Sequence, residues 1–118
     1  MNLSSILDIS ELMKRLDNDR EFLAELFDIF KMDLPPHMQQ LRDAVGRGDA
    51  KGVATEGHSL KGMLLNLSAN QAAVATGALE KIGQENHIEK MKPALAGFER
   101  EIAALLPEME NCVKEIST

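Results

Sequence analysis

The sequence predicts an all-α protein, an antiparallel up-down four-helix bundle with a short extra helix at its N-terminus. Two observations carry that expectation. Apolar residues recur at steps of three and four with no sustained alternation, the helical rather than the strand period. The periodic segments are long and joined by short polar or glycine-bearing connections, which fold consecutive helices back on one another.

Asp8-Ile9-Ser10-Glu11 has the form of a capping box that opens a short first helix, with Glu11 placed to answer the backbone donor of Asp8. Asp19 begins the second helix, whose apolar stripe is read as Phe22, Leu26, Ile29 and Phe30. Pro35 and Pro36 remove two backbone donors, so this helix is expected to kink or restart there and to resume through Met38, Leu41 and Val45. Gly46 and Gly48 end it. Asp49 caps a third helix running to about Ser68, and a fourth runs from Asn70 to Gln84 with Val74, Leu79 and Ile82 on its apolar side. Pro93 is assigned to the first turn of the last helix, where its missing donor is harmless. The stripe of that helix is Met91, Leu95, Phe98, Ile102, Leu105, Met109, Cys112 and Ile116, with Pro107 read as a kink.

At 118 residues the chain is expected to form one domain over 1–118, large enough for a modest core of its own. Hydrophobic residues make up 44% and charged residues 27%, while Trp and Tyr are absent, so ring-stacking surfaces for single-stranded nucleic acid are missing. Nineteen acidic against thirteen basic side chains give a net charge of −6, and no basic run could track a phosphate backbone. Nucleic acid is therefore excluded as a partner. No apolar stretch approaches the roughly 18 residues of a membrane span, and Met1-Asn2-Leu3-Ser4-Ser5 lacks the basic and apolar segments of a secretion signal. Cys112 stands alone in an apolar stripe, as a small core residue would. A cytoplasmic protein is expected, with the oligomeric state open and a monomer favoured.

The chemistry concentrates in the third helix. On a wheel of about 100° per residue, Val53, Leu60, Leu64 and Leu67 fall within about 60° of one another, and His58 lies roughly 160° from Leu60. His58 is thus expected to face solvent, with Lys61 and Gly62 flanking it and Lys51, Leu65 and Ala69 on the same side as candidate partner contacts. Gly52, Gly57 and Gly62 each weaken the helix by about 1 kcal/mol relative to alanine, so propensity did not choose them. Gly57 points to the edge of the buried face, where it admits a neighbouring helix. Gly62 points outward beside His58, where its smallness leaves the imidazole accessible. Asn66, at the margin of the patch, either bonds a neighbouring helix or orients the site. His37 and His87 are read as surface or cap residues, and three histidines on separate segments, with no Glu-x-x-His pair, do not make a metal site.

The segment His58-Ser59-Leu60-Lys61-Gly62, followed by Asn66-Leu67-Ser68-Ala69 and by Ala78-Leu79-Glu80, resembles the histidine-containing phosphotransfer (HPt) domain. Asp19-Arg20-Glu21-Phe22-Leu23-Ala24-Glu25-Leu26 and Gly48-Asp49-Ala50 extend the resemblance over nearly the whole chain. Gly57 stands where alanine is common in that family, Met63 where a small residue is, and Ser68 where glycine is. The resemblance implies a phosphorelay intermediate whose exposed histidine takes a phosphoryl group from an aspartyl phosphate of a receiver domain, in a response regulator or hybrid kinase, and passes it to another receiver. His58 would be the phosphoacceptor, since neutral imidazole is nucleophilic near neutral pH without a separate base. Lys61 would stabilise the moving phosphoryl oxygens. No cofactor or metal is expected on this chain, because the magnesium belongs to the receiver. The absence of any phosphate-binding glycine loop argues against use of ATP by the chain itself. Two other readings stand beside this one: the N-terminal phosphoacceptor domain of a chemotaxis-type kinase, and a helical adaptor without phosphoryl chemistry.

Overall fold

The computed structural model describes residues 6–116, so the Met1–Ser5 segment examined for a secretion signal and the side chain of Ile116 lie outside the described residues. Five helices follow one another: α1 (Ile9–Arg15), α2 (Arg20–Arg47), α3 (Ala50–Asn66), α4 (Asn70–Gln84) and α5 (Ile88–Ile116). The four long helices form a ring in which α2 packs on α3, α3 on α4, α4 on α5, and α5 back on α2. The short connections make each neighbour antiparallel, which is the up-down bundle that the sequence predicts. At about 1.5 Å per residue, α2 alone is roughly 42 Å long and spans most of the 46 Å long axis of the molecule.

Capping residues set the starts of three helices. Asp8, Asp19 and Asp49 each accept a hydrogen bond from the backbone N–H three residues on, at 3.1, 3.0 and 2.9 Å. Gly48 ends α2 in the left-handed conformation at φ 65°. The predicted capping box of α1 is only half formed, because the backbone N–H of Asp8 donates instead to the Ser68 carbonyl (3.0 Å) and the Glu11 carboxylate accepts from the Ser68 hydroxyl (2.7 Å). Arg15 adds bonds to the carbonyls of Leu65 (3.2 Å) and Asn66 (2.8 Å) and to Ser68 Oγ (2.7 Å). α1 thus fastens the α3–α4 turn. Ser68 is buried there at φ 54°, which explains glycine as the usual residue, and its hydroxyl bonds offset the cost of the left-handed backbone.

Several expectations need correction. The buried stripe of α2 is Leu23, Phe27, Phe30, Leu34, Met38 and Leu41, so Phe30 is core as expected, whereas Leu26 is half-buried and Phe22 and Ile29 are 45% and 52% exposed. Two apolar rows run side by side on this helix, and the one ending at Asp33 and Pro36 faces outward. α2 continues through Pro35 and Pro36 without restarting. Lys31, Met32 and both prolines are exposed, so the carbonyls deprived of a donor lie on the water side. Pro107 likewise occupies an exposed position inside a continuous α5, and Pro93 lies in the second turn rather than the first, because the helix already starts at Ile88. Val74 is 74% exposed instead of core. The buried side of α4 is made of Ala72, Ala73, Thr76, Leu79 and Gly83, mostly small residues, and the Thr76 hydroxyl is satisfied by the Ala73 carbonyl at 2.8 Å.

Candidate functional site

Small residues bring α3 and α4 together. A Cβ on Gly57 would stand 2.9 Å from the Glu80 amide nitrogen and 3.1 Å from the Thr76 carbonyl oxygen, and one on Gly83 would stand 2.5 Å from the Ala50 carbonyl oxygen. Both glycines therefore sit where the two backbones nearly touch, the close approach expected for Gly57. The consequence is chemical, because Glu80 is carried to the side of His58.

Val53, Leu60, Leu64 and Leu67 are buried as the wheel predicts, and the opposite face lifts His58 into solvent with 70% of its side chain exposed. The ring is not free to spin. Its Nδ1 lies 3.0 Å from Glu80 Oε2, and Lys61 Nζ lies 2.7 Å from Glu80 Oε1, so one carboxylate holds both side chains. Gln84 Nε2 donates to the same Oε2 at 3.4 Å. The Glu80 side chain is only 13% exposed. The Lys61 ammonium bonded to it, seconded by His58, holds its carboxyl below the usual range despite the opposing effect of burial. An ionised carboxylate can only accept, so the ring atom facing it is Nδ1–H, and in the neutral imidazole the lone pair then resides on Nε2. Glu80 fixes the tautomer and orientation of the His58 ring.

The remaining predicted residues divide. Gly62 is exposed, and a Cβ there would meet nothing within 4 Å, so the approach to His58 is open on that side. Leu65 and Lys51 are exposed on the His58 face. Ala69 is not available to a partner: it is fully buried at the start of α4, because α3 ends at Asn66 and the chain turns inward. Asn66 is eight residues, about 12 Å, along the helix from His58. Its carbonyl is held by Arg15, and orientation of the imidazole falls to Glu80 instead. His37 bonds Glu56 across the α2–α3 seam at 2.9 Å, and His87 lies between Glu85 and Glu89.

Glu80 is the functional residue that sequence reasoning missed, since it entered only as part of a family pattern with no role attached. A signal was present: α3 and α4 form an antiparallel hairpin about the Ser68–Ala69 link, and equal counts back from Ser68 and forward from Ala69 pair Gly57 with Glu80.

A sequence comparison with curated proteins returns no match. Among solved structures the chain is similar to histidine-containing phosphotransfer protein B (HptB) from Pseudomonas aeruginosa PAO1, with a TM-score of 0.87 and 22% identity, over 96% of this chain and 98% of that one. At that identity the likeness establishes the shared fold. The family model described as Hpt domain matches residues 25–116, from the first turns of α2 to the end of α5 and across His58, Lys61, Gly62 and Glu80. The protein is a member of the Hpt domain family, the histidine-containing phosphotransfer domains.

Proposed function

We propose that residues 1–118 act as one phosphotransfer domain of the cytoplasm, taking a phosphoryl group from the aspartyl phosphate of one receiver domain onto His58 and delivering it to another. Membership of the Hpt family already makes this a phosphotransfer protein of phosphorelay signalling. The observation that supports His58 as the acceptor is its exposed ring with Nδ1 held by Glu80, which leaves Nε2 as the attacking atom.

Nε2 donates its lone pair to phosphorus and forms the N–P bond as the P–O bond to the receiver's aspartate breaks, and that carboxylate departs with the bonding pair. No proton has to move to Nε2 or from it for the attack, because Nε2 carries none. Lys61 is the cation nearest the incoming oxygens, and its ammonium can be shared between Glu80 and the phosphoryl group as negative charge arrives. The aliphatic stem of Lys61 lies against Gly77, whose Cβ position is 3.5 Å from Lys61 Cδ, so α4 supports the lysine along its length. Gly62 keeps the path of the receiver clear. Reversal of the same steps onto a second aspartate completes the relay.

Incubation with a phosphorylated receiver tests this. Wild-type protein should acquire acid-labile, base-stable label and His58→Gln none. Failure of the folded wild-type chain to take label from any receiver of its source would favour the adaptor reading.

A further inference from the structure

An imidazole that attacks through Nε2 carries its Nδ1 proton into the phosphorylated state. With Nε2 bonded to phosphorus and Nδ1 still bonded to hydrogen, the ring is an imidazolium and bears a positive charge. A free imidazolium gives up such a proton near about pH 6.5, so at neutral pH an isolated ring of this kind would lose it. That proton governs how the P–N bond breaks. If it stays, the electron pair of the bond returns to Nε2 and the ring departs as neutral imidazole. If it has gone, the departing group is an imidazolate anion, which leaves far less readily.

The groups around His58 act on that proton with opposite signs. Glu80 Oε2 lies 3.0 Å from Nδ1 on a side chain only 13% exposed, so its negative charge meets the ring across little water. Lys61, one turn along the same helix, is the opposing cation, but its ammonium sits on the other carboxylate oxygen at 2.7 Å, and an arriving phosphoryl group offers it further negative charge. Gln84 adds a neutral amide 3.4 Å from Oε2. Lys51 stands two turns back, about 10 Å along α3. α2 meets α3 on another flank, where His37 bonds Glu56, about 160° round the helix from His58. Among the described residues Glu80 is therefore the anion that faces the ring.

Resting on the relay reading above, we propose that Glu80 keeps the Nδ1 proton on phosphorylated His58 at neutral pH, so that the phosphoryl group is carried on an imidazolium and is given up with neutral imidazole as the leaving group. In the outward step an oxygen of the acceptor forms its bond to phosphorus, the P–N bond breaks with its electron pair passing to Nε2, and the ring ends as it began, with hydrogen on Nδ1. When water is the acceptor, the proton lost from water passes to solvent. No proton crosses to or from the ring in either direction of transfer. Glu80 is thus a positioning residue that acts through the imidazole, and an opposite charge so close raises the midpoint of such a cation by about one pH unit or more.

Phosphoramidate, a small donor that needs no receiver, loads the protein for the test. After the donor is removed, ¹⁵N shifts of the His58 ring follow its proton against pH, and ³¹P spectra follow loss of the phosphoryl group. The phosphorylated wild type should titrate about one pH unit or more above phosphorylated Glu80→Gln, a variant that removes the charge and keeps the size of the side chain. Phosphoryl loss should follow the same midpoints, several-fold faster from wild type than from Glu80→Gln in mild alkali. Coincident midpoints would overturn the proposal and leave the relay reading standing. So would a phosphorylated wild-type ring that has lost its Nδ1 proton at about pH 7, a readout that does not depend on the variant folding. Separated midpoints in a protein that no receiver labels would keep the role of Glu80 and remove the relay.

Discussion

Replacing Gly57 by alanine puts the α3–α4 packing on trial. The added Cβ would stand 2.9 Å from the Glu80 nitrogen, 3.1 Å from the Glu80 Cα and 3.1 Å from the Thr76 oxygen, all backbone atoms that cannot swing aside. Ordinary carbon contacts begin near 3.5 Å, so the helices must part by about half an ångström. Overpacking of this kind costs about 1–3 kcal/mol, while alanine returns about 0.5–1 kcal/mol of helix propensity, and the balance is a net loss of about 0.5–2 kcal/mol. Gly62→Ala supplies the internal control: its Cβ meets nothing within 4 Å, so the propensity gain stands alone and the protein should become more stable by about 0.5–1 kcal/mol. Urea unfolding of the two variants beside wild type reads the difference, as midpoints that move in opposite directions at unchanged slope. Gly57→Ala should also slow receiver transfer, because the atoms it displaces belong to Glu80, the residue that orients His58. Alanine is common at this position in the family, so its cost here would be a property of how tightly this chain draws α3 onto α4. A Gly57→Ala protein as stable as Gly62→Ala, with transfer intact, would refute the reasoning.

Other substitutions separate the parts of the site. Gly62→Gln should suppress receiver transfer while leaving unfolding unchanged or slightly improved, and an equal or faster rate would contradict the access argument. Lys61→Ala should slow transfer with the helical circular dichroism intact, and an unchanged rate would remove the ammonium from the chemistry. Glu80→Gln carries a pH signature. Because the folded carboxyl titrates below its ordinary value of 4.5, the stability it adds is present above that value and is lost as pH falls through the lower folded one. Wild type should therefore exceed Glu80→Gln in stability at neutral pH and converge with it in acid. The same variant should blur the imidazole tautomer, read from ¹⁵N shifts of the ring.

Much of the bundle was legible because helix ends announce themselves chemically. Asp8, Asp19 and Asp49 as caps and Gly48 as a stop require nothing but local geometry, and the exposure of His58 followed from the clustering of Val53, Leu60, Leu64 and Leu67. The α2 stripe was misread because two rows of equal apolar character lie about 100° apart, and only continuation across the prolines distinguishes them. Leu34, Met38 and Leu41 are in step with Phe30, Phe27 and Leu23, while the other row runs into Asp33. Extending the α3 wheel past Asn66 puts Ala69 on the surface, but the left-handed turn at Ser68 has by then redirected the chain. The α1 capping bond and Glu80 were out of reach for a related reason, since their partners are brought near by the turn and not by sequence spacing.

What hid Glu80 also explains the misplaced apolar residues. A helix face built from Ala72, Ala73, Thr76 and Gly83 carries little hydrophobic signal, so a reading based on side-chain size passes over it and selects Val74. Yet small residues are what allow α3 and α4 to approach closely enough for a carboxylate on one to hold an imidazole and an ammonium on the other. Large apolar groups can then be left outside, since α3 and α4 meet through small residues and the other long helices through their own buried rows. Phe22, Ile29, Leu65 and Val74 are not needed to close the bundle. Their exposure costs the protein hydrophobic stabilisation of about 25 cal/mol for each Å² left in water.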